Sequence, residues 1–412
     1  MSLLIVGRKS KTQMRNMFYW AGIISILICL PLRVSAQSYE QMWKQKQLPK
    51  SAIQELRKIY EYAKQEKNVS QMMKAHLTRA SLCIDITPDS LDSELSALKA
   101  WMEEEKDTVY QAILNNLLGY YILDTGKKDE TAIDTAIAYF QRSLQDKEIL
   151  FRKSAVDYRP MTNSKELSEK YCGDNMYQLL ARQAISRLSG YFIANPVSAE
   201  KIQTEILSIY DGLIDFYRQQ GMTDARLLLM LDKLHYKGND VSRGGVNERL
   251  RLTDEQVITL LKQWAEEFAD SPLCGEVYCQ LAERYDRMQD YTAKLKAAQT
   301  GLAKYPRSLS ANDLKEQIAE VLTPRLMVEI PFAYPGKDVD LKVKYRNLAG
   351  LTVELYRMNL PVTSPVLERE INASTLSQYG KLVSSRHYDL SATPDYKETD
   401  TLLRYKFPVE GI

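Results

Sequence analysis

From about Tyr39 to Val321 the apolar residues recur at intervals of three and four, the period of a helix that buries one stripe. Ser51 to Tyr60 places Ile53, Leu56, Ile59 and Tyr60 on one face, with Pro49 ahead as a start signal. Asn68 closes that helix, and a second stripe runs through Met72, Met73, His76, Leu77 and Leu82. The two predict a helical hairpin. Further helices are predicted over Leu91–Glu105, Val109–Leu123, Thr131–Leu144, Asn175–Ile193, Ala199–Tyr217 and Asp224–Leu234, with turns at Gly126, Asn195-Pro196, Gly221 and Gly238.

Late in this region a repeat emerges. Trp264-Ala-Glu-Glu-Phe-Ala-Asp-Ser-Pro272 and Gly301-Leu-Ala-Lys-Tyr-Pro306 each end a helix in an aromatic residue followed by proline. Pro272 and Pro306 stand 34 residues apart, the tetratricopeptide period. Between them Leu281, Ala282 and Tyr285 occupy a first helix, Asp290-Tyr291 a turn, and Ala298 with Gly301 a second helix that needs small residues where the two cross. Lys294 stands where this repeat usually has alanine, so a looser crossing is expected there. Leu118-Gly119 with Ile122, followed by Ala132 to Leu144, is a weaker match. The stretch reads as a degenerate tetratricopeptide-like array, the alternative being an irregular helical bundle.

After Pro324 the period changes to two. Leu326–Phe332, Val339–Tyr345 and Leu351–Tyr356 alternate apolar and polar, so each is expected to bury one face of a strand, and Lys381–Leu390 and Thr401–Val409 continue the theme. Tyr334-Pro-Gly336 and Asn347-Leu-Ala-Gly350 supply turns. Such spacing predicts an antiparallel sandwich. Arg325 to Ile412 spans 88 residues, short of the roughly 100 that seven strands need. An incomplete sandwich is therefore expected, in a chain that is a piece of a longer protein or a product cut short. The fold class is mainly α with a C-terminal β domain, divided as 1–36, 37–322 and 325–412.

The first segment has its own logic. Arg8, Lys9, Lys11 and Arg15 precede the 13-residue apolar run Phe18–Leu30, and Val34-Ser35-Ala36 precedes Gln37. This is the order of a secretory signal peptide cleaved after Ala36, with Met14 an alternative start. An uncleaved anchor would need about 20 apolar residues. The product is expected to be exported, to the periplasm or cell envelope, with no membrane span after cleavage. Cys29 follows Leu27 and Ile28 rather than small residues, so it does not fit a lipoprotein signal. Cys83, Cys172, Cys274 and Cys279 remain, and they allow three pairings or four buried free thiols.

Charge and composition narrow the chemistry. Of 412 residues, 45% are hydrophobic and 26% charged, and the net charge of +2 provides no field for nucleic acid. His76, His235 and His387 are too scattered to form a metal or catalytic cluster, and His76 lies on an apolar stripe. No Gly-x-Ser-x-Gly elbow, phosphate loop, dinucleotide glycine run or His-Glu-x-x-His is present. Gly244-Gly245, between Arg243 and Val246-Asn247, admits an anion nest or an inter-helix loop, and its turn composition favours the loop. Glu103-Glu104-Glu105 reads as an acidic helix face. No catalytic, cofactor-binding or metal-binding residue is expected.

An exported hairpin array leading into Val339-Asp-Leu-Lys-Val-Lys-Tyr-Arg-Asn-Leu348 and Leu351-Thr-Val-Glu-Leu-Tyr-Arg357 resembles the N-terminal part of large bacterial alpha-2-macroglobulin-like proteins. The likeness covers most of the chain after residue 36. Leu48-Pro-Lys-Ser-Ala52 and Glu66-Lys-Asn68 are similar to the Bacteroidetes version. The resemblance implies that the β segment is the first of many macroglobulin sandwiches in an endopeptidase inhibitor that closes around proteases. The family's thioester forms at a Cys-Gly-Glu-Gln run. Here Cys274-Gly275-Glu276 is followed by Val277, which has no carboxamide to condense with the thiol, so no thioester is expected. Two function classes follow. One is a non-catalytic N-terminal portion of such a trap, meeting proteases through the full-length protein. The other is a free-standing exported scaffold that binds a peptide or envelope protein on its helical surface.

Overall fold

The computed structural model describes residues 49–86, 91–124, 130–158, 171–190, 196–238, 252–330, 336–358 and 380–406. The expected signal peptide (1–36) with Cys29, the Arg243 to Asn247 stretch and the end of the last expected strand lie outside the described residues. The chain gathers into two compact units that divide between Arg251 and Leu252, so the change of period at Pro324 falls inside the second unit.

The first unit is helical throughout its described residues. Helices α1 (Pro49–Gln65), α2 (Val69–Ile86), α3 (Leu91–Glu104), α4 (Thr108–Asp124) and α5 (Glu130–Ser143) pack in succession. A short α6 (Lys147–Phe151) and a 3-10 turn (Ala155–Tyr158) follow, then α7 (Met176–Gly190), α8 (Pro196–Gln219) and α9 (Thr223–Gly238). The apolar stripes meet as their period requires: one continuous core runs from Met73 through Leu114, Phe140, Leu150, Leu180 and Tyr217 to Leu229. Side chains of this size contribute about 1.5–3 kcal/mol each when fully buried. Turn chemistry sets the hairpins. Asn68 caps α2 by accepting Gln71 N–H at 3.1 Å, after Lys67 has taken the left-handed conformation at φ 56°. Asp107 caps α4 by accepting the amides of Val109 (2.8 Å) and Tyr110 (3.0 Å).

The second unit begins with α10 (Asp254–Glu267), opened by a capping box between Thr253 and Gln256. Then come α11 (Cys274–Arg287), α12 (Tyr291–Lys304) and α13 (Ala311–Leu322). Helix starts recur at an offset of 37 residues, from Asp254 to Tyr291 and from Cys274 to Ala311. The prolines stand closer because Pro272 lies four residues after Phe268, whereas Pro306 directly follows Tyr305. Helices α11 and α12 approach closely at Gly301, where an added Cβ would stand 2.5 Å from Tyr278 Cβ. Lys294 is 2% exposed; its stem lies in the hairpin and its ammonium reaches Asp286 at 2.7 Å and Glu320 at 2.9 Å.

Five antiparallel strands follow among the described residues of this unit: β1 (Arg325–Glu329), β2 (Asp338–Arg346), β3 (Gly350–Met358), β4 (Gly380–Asp389) and β5 (Thr399–Lys406). They form a sheet of order β1-β2-β5 and a pair β3-β4. Val339, Leu341, Val343 and Tyr345 of β2 point to one side with Leu403 and Tyr405 of β5, and Val353, Leu355 and Tyr388 of the β3-β4 pair pack against them. Alternation holds for β2. It fails for β1, where only Val328 joins the cluster while Leu326 and Met327 are 45% and 50% exposed. The cluster centres on β2 and β5, and β1 lies at the margin of its sheet.

Candidate functional site

Cys274-Gly275-Glu276-Val277, the run nearest in composition to a thioester sequence, forms the first turn of α11 and is used for packing. Cys274 and Val277 are fully buried, and a Cβ on Gly275 would clash with Ser308 at 2.3–2.4 Å. Glu276 accepts the backbone N–H of Ser310 at 2.8 Å and the Ser310 hydroxyl, pinning the loop that opens α13. Burial raises the Glu276 carboxyl above its ordinary range, and the Ser310 hydrogen bonds oppose that shift. Burial likewise raises the Cys274 thiol, so a reactive thiolate is disfavoured.

The other sequence candidates are placed apart. His76, His235 and His387 stand on α2, α9 and β4. His76 is enclosed by the Tyr60 and Trp101 rings, with Arg79 Nη2 3.3 Å from Nδ1 and Glu94 3.7 Å from Nε2. Cys83, Cys172, Cys274 and Cys279 are free thiols. Burial pushes Cys172 up to about 11 and raises Cys279 further. Glu103 and Glu104 lie exposed on α3, and the Glu105 carboxylate turns back to accept the amides of Lys106 and Asp107. Among the described residues no group of three His, Cys, Asp or Glu side chains is placed to hold a metal ion. No helix among them is long and apolar enough to cross a membrane.

Two features stand out. The first joins helix to strand within the second unit. Arg346, at the end of β2, donates through Nη2 to Glu320 O at 2.5 Å, and Asn347 donates through Nδ2 to Val321 O at 2.7 Å. These carbonyls belong to the last turn of α13, which has no intrahelical donors for them. Asn347 takes φ 55° as the chain reverses into β3, and Thr393 Oγ1 accepts its N–H at 3.0 Å. The Arg346 guanidinium also lies 5.8 Å from the Tyr291 ring centroid on α12.

The second is an open groove of about 430 Å³ between α5 and α8, floored by Ile137. Asp134, Glu200 and Glu205 line it with Lys201, whose ammonium reaches Asp134 at 2.6 Å and Glu130 at 3.5 Å. Glu205 is buried and accepts Gln141 Nε2 at 2.8 Å. Burial raises its carboxyl and the Gln141 hydrogen bond opposes this. Periodicity could not reveal this groove, since Gln141 and Glu205 are 64 residues apart. The junction was equally hidden, although Asn347 stands in a predicted turn. No family model, curated protein or solved structure matches this chain.

Proposed function

We propose that this chain is a non-catalytic N-terminal portion of an exported, alpha-2-macroglobulin-like endopeptidase inhibitor. In this reading the tetratricopeptide-like hairpins set the orientation of a first macroglobulin-like β-sandwich, and proteases are met through the full-length protein in the periplasm or cell envelope. The observation that carries the reading is the junction. Arg346 and Asn347 of the β segment satisfy the terminal carbonyls of α13, so helices and strands join by direct hydrogen bonds. A module that must hold the next domains of a trap in register needs such a joint. The 37-residue helix offset exceeds the 34-residue tetratricopeptide period and fits a degenerate array. The packing of Cys274 to Val277 supports a structural role for that run and no thioester.

The test is to tag the protein at its own chromosomal locus and isolate it from the envelope fraction. The reading expects a species far larger than 47.4 kDa that shields a bound protease from large substrates while small peptides are still cleaved. A product of the size of this chain, without shielding, would count against it.

The groove between α5 and α8 favours a second reading, a free-standing exported scaffold. Three carboxylates around one lysine suit the basic side chain of a peptide laid across the helices. Retention of a lysine- or arginine-bearing peptide, lost on Glu205→Gln, would support it.

A further inference from the structure

Strand β1 has an apolar residue on each face, is exposed except at Val328, and has β2 as its one strand neighbour among the described residues. An edge of this kind is a template for another strand. Its sequence, Arg325-Leu-Met-Val-Glu329, carries a positive charge at one end and a negative charge at the other, with three apolar residues between. Reversed and laid antiparallel beside itself, that pattern complements itself. We propose that two copies of this chain pair through β1, edge to edge and antiparallel, about a two-fold axis at Met327.

The register follows from the symmetry. Arg325 of each copy faces Glu329 of the other, Leu326 faces Val328, and the two Met327 residues face each other on the axis. Residues directly opposite in antiparallel strands share a face. Val328 pairs with Val343 and Leu326 with Tyr345 on the inward side of β2, so pairing extends that apolar face across the axis. On the outer side Met327 sits beside Lys344 and is still 50% exposed. A second Met327 would cover what remains open. Arg325 is held by surface ion pairs to Glu398 at 3.4 Å and Glu320 at 3.8 Å, and Glu329 by one to Lys342 at 3.8 Å. Such pairs contribute little and yield readily to a new partner.

Strands of five residues bury less than the roughly 1,200 Å² of a standard stable interface, so association is weak, with a dissociation constant on the order of 100 μM. Sedimentation velocity of the whole chain, across roughly tenfold either side of that value, should show a reversible monomer–dimer equilibrium. Glu329→Arg places like charges opposite each other at both ends and should weaken the dimer about tenfold or more. The swap Arg325→Glu with Glu329→Arg should restore it, since the pattern again complements itself. Met327→Cys should form an intermolecular disulfide under mild oxidation, and Leu402→Cys, exposed on β5, should not. Circular dichroism verifies that each variant is folded. A chain that stays monomeric throughout the range overturns the proposal. So does a dimer indifferent to Glu329→Arg, or one that the charge swap fails to restore.

Discussion

Asn347 holds the last turn of α13 from the far end of β2: its side-chain amide donates to Val321 O at 2.7 Å while its own backbone stands at φ 55°. The one residue both turns the chain from β2 into β3 and satisfies a helix terminus. Asparagine suits both tasks, because it tolerates the left-handed region and carries a donor. Asn347→Ala should destabilise the second unit by about 2–3 kcal/mol, combining a lost hydrogen bond with a left-handed alanine. Asn347→Gly removes the strain and should cost about 1 kcal/mol. Urea unfolding followed by circular dichroism distinguishes the two.

The crossing of α11 and α12 depends on a missing side chain at Gly301. An alanine Cβ would stand 2.5 Å from Tyr278 Cβ, which is anchored to its own backbone and cannot swing away. Gly301→Ala should cost about 1–3 kcal/mol by overpacking. Gly190, at the end of α7, meets nothing within 4 Å. Gly190→Ala should stabilise by up to about 1 kcal/mol through helix propensity. Thermal melts of the two variants should therefore shift in opposite directions.

Lys294 is buried, while its partners Asp286 and Glu320 are 44% and 52% exposed. The burden of pairing is unequal. Lys294→Met keeps the stem and leaves two carboxylates in water, so it should change stability by less than about 1 kcal/mol. Asp286→Ala with Glu320→Ala strands a buried ammonium and should cost about 3 kcal/mol or more. Equilibrium denaturation of both variants checks the order.

Burial, and secondarily the Arg79 charge, lower the His76 pKa from 6.5 to about 4. Glu94, 3.7 Å away, is committed to Arg79 at 2.8 Å. The folded protein therefore holds a neutral imidazole in a range where the unfolded chain is protonated. Stability from this group is complete above pH 6.5 and falls as pH drops toward 4, by about 3 kcal/mol. His76→Phe should flatten the midpoint of thermal unfolding between pH 6.5 and 4 relative to the parent chain.

The long elements were legible because their side-chain periods are long enough to register. Leu91 to Glu104 and Asp338 to Arg346 fall within a residue or two of the ranges that periodicity predicts. Lys147–Phe151 escaped because five residues make little more than one helical turn, too few to display a stripe. β1 shows how pattern and position differ: Leu326 and Val328 alternate as a half-buried strand should, yet the margin of a sheet leaves Leu326 exposed. The joint between Asn347 and Val321, and the contact of Gln141 with Glu205, bring together residues 26 and 64 positions apart. Local sequence carries no record of such pairs. The use of Glu276 in the Cys274 run to pin Ser310 became visible only in three dimensions.

The joint between α13 and the strands should be rigid. Hydrogen exchange followed by mass spectrometry checks this by comparing amides in 311–322 with those in 338–358. A joint built by Arg346 and Asn347 predicts that both segments open together with matching protection, and that Asn347→Ala lowers both while leaving 176–219 unchanged. Strands that exchange freely while α13 stays protected, in the parent chain, would contradict it.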